Sequence, residues 1–278
     1  MTARDPLIDV VELQERLNDV HVLDARWRLG HDDGHERYLA GHIPGAVFVD
    51  VDRELSRHGR PAEGRHPLPD DAALAEAARR WGIRAGRTVV VYDDARMLPA
   101  SRAWWALRRA GLADVRVLDG GWRAWLAADG PIETGQVRVA EGDAVLGSPG
   151  SSGTVDTAGA AAWPRTGVLL DARAPERYRG ETEPVDPIPG HIPGAMNLPI
   201  GRMLTADGRF RPASEISAAF DEVGADGSMP IAAYCGSGIT AAQLALAGAV
   251  IGRDVTVYPG SWSAWSNTPG LPIATGEG

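Results

Sequence analysis

Short apolar runs recur along the chain, and each ends on a polar residue. Val20-His21-Val22-Leu23 stops at Asp24, Thr88-Val89-Val90-Val91-Tyr92 at Asp93, and Ile231-Ala232-Ala233-Tyr234 at Cys235. Runs of this length, bounded by turn residues, predict buried strands. Ala46-Val47-Phe48-Val49 and Val115-Arg116-Val117-Leu118 add two more in the first half. Between them the spacing turns helical. Asp9-Val10-Val11-Glu12 predicts a capped helix start continued by Leu13 and Leu17. Residues 70–81 predict an alanine-rich helix, and residues 101–110 one carrying Trp104, Trp105 and Leu107. Trp122, Trp125 and Leu126 mark the inner face of a shorter helix. Residues 50–69 show neither period and predict a long loop. Strands alternating with helices predict an α/β sheet covered on both faces.

The landmarks then recur, in the same order, about 140–150 residues downstream. Asp24-Ala25-Arg26 returns as Asp171-Ala172-Arg173, and Gly41-His42-Ile43-Pro44-Gly45-Ala46 as Gly190-His191-Ile192-Pro193-Gly194-Ala195. Tyr92-Asp93 matches Tyr234-Cys235, and Gly120-Gly121-Trp122 with Trp125 matches Gly260-Ser261-Trp262 with Trp265. Order and content together predict a tandem duplication. Gly147-Ser148-Pro149-Gly150-Ser151-Ser152-Gly153 has linker composition. The expected division is residues 1–140, a linker over 141–154, and residues 155–278.

Composition narrows the chemistry. A chain of 278 residues, 44% hydrophobic, can bury the cores of two domains. A net charge of −9 argues against a nucleic-acid partner. No stretch has the length and apolarity to span a bilayer, so no membrane partner is expected. Residues 1–6 lack the basic-then-apolar order of a signal peptide, and one cysteine allows no internal disulfide; both point to the cytoplasm. Every cationic side chain is arginine. Without lysine, P-loop and Schiff-base chemistry are closed, pyridoxal phosphate included. No cluster has metal-ligand spacing, and no cofactor is expected.

Cys235 stands where a strand gives way to Gly236-Ser237-Gly238-Ile239-Thr240 and a small-residue helical segment. Unpaired N–H groups and the dipole at a helix N-terminus favour negative charge there. Two glycines let the backbone curl around one sulfur. That is the setting of a nucleophilic cysteine. Comparing the copies separates scaffold from site. His42 and His191 occur in both copies and read as scaffold. Asp93 occupies the Cys235 position of the first copy, and a carboxylate cannot hold a transferable sulfur, so that copy is expected to be silent. Of seven histidines only His191 lies in the second half. An imidazole serving Cys235 must then come from the first half. Residues 50–69 offer His58 or His66, with Asp50 or Asp52 to orient the ring.

On these residues the chain resembles the tandem-domain sulfurtransferases, the rhodanese and 3-mercaptopyruvate sulfurtransferase family. The matching stretches are Tyr38 through Ala46, Gly190 through Ala195, the loop Cys235 through Thr240, and Tyr258-Pro259-Gly260-Ser261-Trp262 with Trp265. The resemblance implies two rhodanese-like domains, each a mainly parallel sheet with helices on both faces. It also implies a persulfide mechanism. Cys235 takes sulfur from a small anionic donor, thiosulfate or 3-mercaptopyruvate, and passes it to cyanide or a thiol, a thioredoxin-like protein among the acceptors. Backbone N–H groups of Gly236, Ser237, Gly238, Ile239 and Thr240 would hold the thiolate and persulfide. Ser237, His66 and Asp52 would act together on mercaptopyruvate, and Arg177 would grip the donor's anionic group. Ser237 also suits an N-cap of the following helix. The loop resembles the mercaptopyruvate branch, whereas Asp186 stands where that branch has a second arginine and matches the thiosulfate branch. A phosphatase loop of Cys-x5-Arg form is disfavoured, because Ala241 holds the arginine position. A sulfur-carrier or regulatory module is the remaining alternative, and the presence of Cys235 favours the enzyme.

Overall fold

The computed structural model describes residues 5–147 and 153–277. The expected linker centre, residues 148–152, and residues 1–4, read above for a signal peptide, lie outside the described residues. The chain forms two compact units. Unit one gathers residues 5–56, 69–147 and Ala206–Arg209; unit two gathers Arg57–Leu68, residues 153–205 and 210–277.

Unit one is built on β1 (Leu7–Ile8), β2 (Val20–Asp24), β3 (Val47–Phe48), β4 (Thr88–Tyr92) and β5 (Val115–Leu118). Their order is β1-β5-β4-β2-β3, with every pairing parallel. Unit two carries β6 (Val168–Asp171), β7 (Met196–Asn197), β8 (Ile231–Tyr234) and β9 (Val255–Val257), ordered β7-β6-β8-β9 and again all parallel. Matched by position, β7-β6-β8-β9 repeats β3-β2-β4-β5. A parallel sheet covered on both faces needs continuous apolar strands. Both β4 and β8 are buried at every residue.

The repeated landmarks build the same joint in each unit. Asp24 and Asp171, fully buried at strand ends, are each paired with the arginine two residues on, Nη2 to Oδ2 at 2.6 Å in both. The His42 Nδ1–H donates to the Tyr38 carbonyl at 2.9 Å, and His191 Nδ1–H to that of Tyr178 at 2.8 Å. Each ring stacks on the same tyrosine. A carbonyl can only accept, so the proton sits on Nδ1. Burial pushes His191 below the usual imidazole range, which keeps it neutral. Both histidines are scaffold.

Three local expectations need correction. Residues 50–69 contain a helix, Val51–Glu54, and a 3-10 turn, Pro61–Glu63. Four residues are too few for a period to show; what starts the helix is Asp50, which accepts the N–H groups of Asp52 and Arg53 at 3.1 Å each. The helix expected from residue 101 spans Leu98–Arg109, with Pro99 in its first turn where a missing N–H costs nothing. Leu126 is exposed at 43%, while Trp125 is buried. Among the described residues no helix is long and apolar enough to cross a membrane.

Candidate active site

The site lies in unit two, at the carboxyl end of β8, where parallel sheets leave room for ligands. Cys235 follows Tyr234 directly, and the helix Ile239–Val250 begins four residues later. The turn between them depends on Gly238. Its φ of +85° is left-handed, and a Cβ there would lie 2.5 Å from the Pro259 carbonyl oxygen. Glycine alone fits. The conformation aims the Gly238 N–H at Cys235 Sγ, 3.1 Å away. Ile239 and Thr240 form the first helical positions beyond it. Gly238, not Ser237, is the helix cap, and it makes no side-chain cap bond. The serine is turned to another partner. Ser237 Oγ lies 2.8 Å from His66 Nδ1, with both residues buried.

A second loop locks the first. The N–H groups of Trp262 and Ser263, opening the helix Ser261–Ser266, donate to the carbonyls of Cys235 and Gly236 at 2.9 Å each. Ser261 Oγ accepts the Cys235 N–H at 3.1 Å and lies 4.0 Å from Sγ. To reach this place Ser261 adopts φ +53°, a strained value for a residue with a side chain. Sequence reasoning missed it. The signal was in the repeat: the first copy has Gly121 at this position, with φ +56°.

The segment Arg57–Leu68, part of unit two, brings Arg65 and His66 to the loop. Gly64 makes this approach possible, since a Cβ on it would lie 2.7 Å from the Gly260 carbonyl oxygen. Arg65 pairs with Asp186. Arg177 pairs with Glu183, Nη2 to Oε1 at 2.6 Å, and with Asp186 at 3.4 Å. Both carboxylates are almost wholly buried. Burial pushes Asp186 above the usual carboxylate range against the pull of Arg65. Burial acts on Glu183 in the same direction, but the Arg177 guanidinium and the N–H groups of Asp186 and Val185 outweigh it and hold that group low. Neither Arg65 nor Glu183 stood out in the sequence, because their partners are set by the fold rather than by spacing. Asp52 belongs to unit one, where its Oδ2 accepts the Trp27 indole N–H at 2.8 Å.

In unit one the corresponding position is closed by its own side chain. Asp93 accepts the N–H groups of Ala95, Met97 and Ala100 at 2.7, 2.9 and 2.8 Å. Burial nevertheless pushes its carboxyl up to about 6.

The rhodanese-like domain family matches the chain twice, over residues 9–128 and 156–268. The chain is 49% identical over 264 residues to SseB of Mycobacterium tuberculosis, which carries a provisional thiosulfate sulfurtransferase name; the match spans 92% of this chain and 91% of that protein. It is 36% identical over 272 residues to the 3-mercaptopyruvate sulfurtransferase of Escherichia coli K12, spanning 94% and 95%. The crystal structure of SseA from Escherichia coli, described as a 3-mercaptopyruvate sulfotransferase with the rhodanese fold, superposes with a TM-score of 0.83 at 33% identity. It covers 92% of this chain and 98% of that one.

Proposed function

The chain belongs to the rhodanese-like family, one copy of the domain in each half, and on that premise we propose that it is a sulfurtransferase working through a persulfide on Cys235. The Cys235 thiolate attacks the outer sulfur of thiosulfate or the thiol sulfur of 3-mercaptopyruvate. An S–S bond forms, and the donor's S–S or C–S bond breaks with its electron pair going to the leaving group. Thiosulfate releases sulfite; 3-mercaptopyruvate releases an enolate that takes up a proton. A thiol or cyanide then attacks the outer sulfur, and the Cys235 thiolate leaves. This is ping-pong covalent catalysis. A thioredoxin-like protein fits the acceptor role, and a reducing cytoplasm fits the free thiol.

The observation that carries the reading is the single thiol at the end of β8, with the Gly238 N–H aimed at its sulfur at 3.1 Å. Backbone N–H groups at Gly236, Ser237, Gly238, Ile239 and Thr240 serve as the cradle for thiolate and persulfide. Arg177 binds the donor's anion. His66 and Ser237 hold the proton that a mercaptopyruvate-derived enolate takes up. Residues 155–278, joined to residues 1–140 by the linker 141–154, carry the nucleophile, and the first copy is silent.

Incubation with thiosulfate or 3-mercaptopyruvate followed by intact-mass measurement tests this. The expected result is a gain of one sulfur atom, reversed by reductant and lost in Cys235→Ser. No gain with either donor removes the proposal.

A further inference from the structure

Two guanidinium groups lie over the residue that follows the nucleophile. A Cβ built on Gly236 would stand 3.1 Å from Arg65 Nη2, 3.5 Å from Arg177 Nη1 and 3.6 Å from Arg177 Nη2. Each guanidinium is anchored on a buried acid by its other edge. Arg65 uses Nη1 on Asp186, and Arg177 uses Nε and Nη2 on Glu183. The two nitrogens nearest Gly236, Arg65 Nη2 and Arg177 Nη1, donate no hydrogen bond among the described residues. Side chains held on one edge and uncommitted on the other are preorganised donors, and their ordering cost is met before any ligand arrives.

We infer that Arg65 is the second arm of a two-arginine fork that receives the anionic group of the sulfur donor over Gly236, with Asp186 as the positioning residue that holds it there. This deepens the sulfurtransferase reading and rests on it for the donor's identity. Paired guanidinium groups match the oxygens of a carboxylate or sulfonate. Gly236 follows as a requirement, since any side chain would fill the place the anion takes. A cation brought from residue 65 can therefore decide the donor class, even though neither the Cys235–Thr240 loop nor position 186 carries one.

The test compares two alkylating reagents of nearly the same size, one anionic and one neutral, each variant read against the wild-type rate with the same reagent. Iodoacetate and iodoacetamide react with the same sulfur, but only the first has an anion for the fork. In Arg65→Gln the rate with iodoacetate is expected to fall roughly 10- to 100-fold while that with iodoacetamide holds, the range for losing one hydrogen bond to a charged group. KM for thiosulfate should rise by a similar factor, with kcat changed far less. Arg65→Gln/Asp186→Asn removes the ion pair as a whole and guards against a folding defect from a stranded buried charge. The iodoacetate defect is expected to persist in that double variant. Recovery to wild-type behaviour there would mean that Arg65 only neutralises Asp186, and would overturn the inference. Equal losses with both reagents would overturn it too. A wild type that shows the alkylation contrast but gains no sulfur keeps the fork and removes the sulfur-transfer reading instead.

Discussion

Ser261 holds the Cys235 backbone by adopting a conformation that its own side chain resists. Its hydroxyl accepts the Cys235 N–H and donates to the Tyr258 carbonyl at 2.9 Å. Ser261→Gly separates the two roles. Relief of the left-handed backbone, about 1 kcal/mol, is offset by glycine's extra freedom in the unfolded chain, about 0.5–1 kcal/mol. Thermal unfolding should therefore barely move. The lost hydroxyl should lower kcat/KM by roughly 2- to 10-fold, the worth of one hydrogen bond. Activity untouched by the change would make Ser261 a packing residue only. His66 is tested by contrast between donors. His66→Ala should reduce kcat/KM for 3-mercaptopyruvate on the order of 10²-fold and that for thiosulfate much less, because only the former's leaving group takes up a proton. Equal losses would remove His66 from proton handling.

At the scale of the element, the turn between β8 and its helix is fixed by one glycine. Gly238→Ala places a Cβ in a left-handed position and against Pro259, at an expected cost of about 1–3 kcal/mol. It also turns the N–H away from Cys235 Sγ. Denaturant midpoint and thiol alkylation rate should fall together; a normal midpoint with normal reactivity would show that the turn is more adaptable than its geometry implies. The strands were legible in the sequence because parallel strands buried on both faces are unbroken apolar runs, and β2, β4 and β5 fall where those runs do. The repeat and the cysteine turn were legible for a related reason: local order is enough to reveal them. Arg65 was not, because its partner Asp186 stands 121 residues away. Ser237 read as a helix cap because spacing cannot tell that Gly238 already closes the turn, or that His66 is within reach.

For the whole molecule, the first copy acts as an internal control on the second. Asp93 sits in a cradle of three N–H groups, yet burial raises its carboxyl from 3.8 to about 6. The folded pKa lies above the unfolded one, so folding takes up a proton between about pH 4 and pH 6. The stability this group contributes is complete below that window and lost above it, a difference of roughly 3 kcal/mol. Unfolding free energies measured from pH 4 to 7 should show this slope in the wild type and lack it in Asp93→Ala. Hydrogen bonds from the backbone alone thus do not fully offset the burial of an anion, which gives the guanidinium groups beside Gly236 their value. Asp93→Cys in a Cys235→Ser background is expected to gain no sulfur, since Asp94 stands in the place of Gly236 and is paired with Arg37. A persulfide at residue 93 would refute the idea that the first copy is silent. Arg57–Leu68 belongs to unit two and Ala206–Arg209 to unit one, so no single cut separates the units. Each half of the sequence is on loan to the other for a few residues. A gene cut at the linker would yield a second piece that carries Cys235 and Gly238 but lacks Arg65 and His66. The ancestral duplication is still readable in the sequence, but it can no longer be undone with scissors.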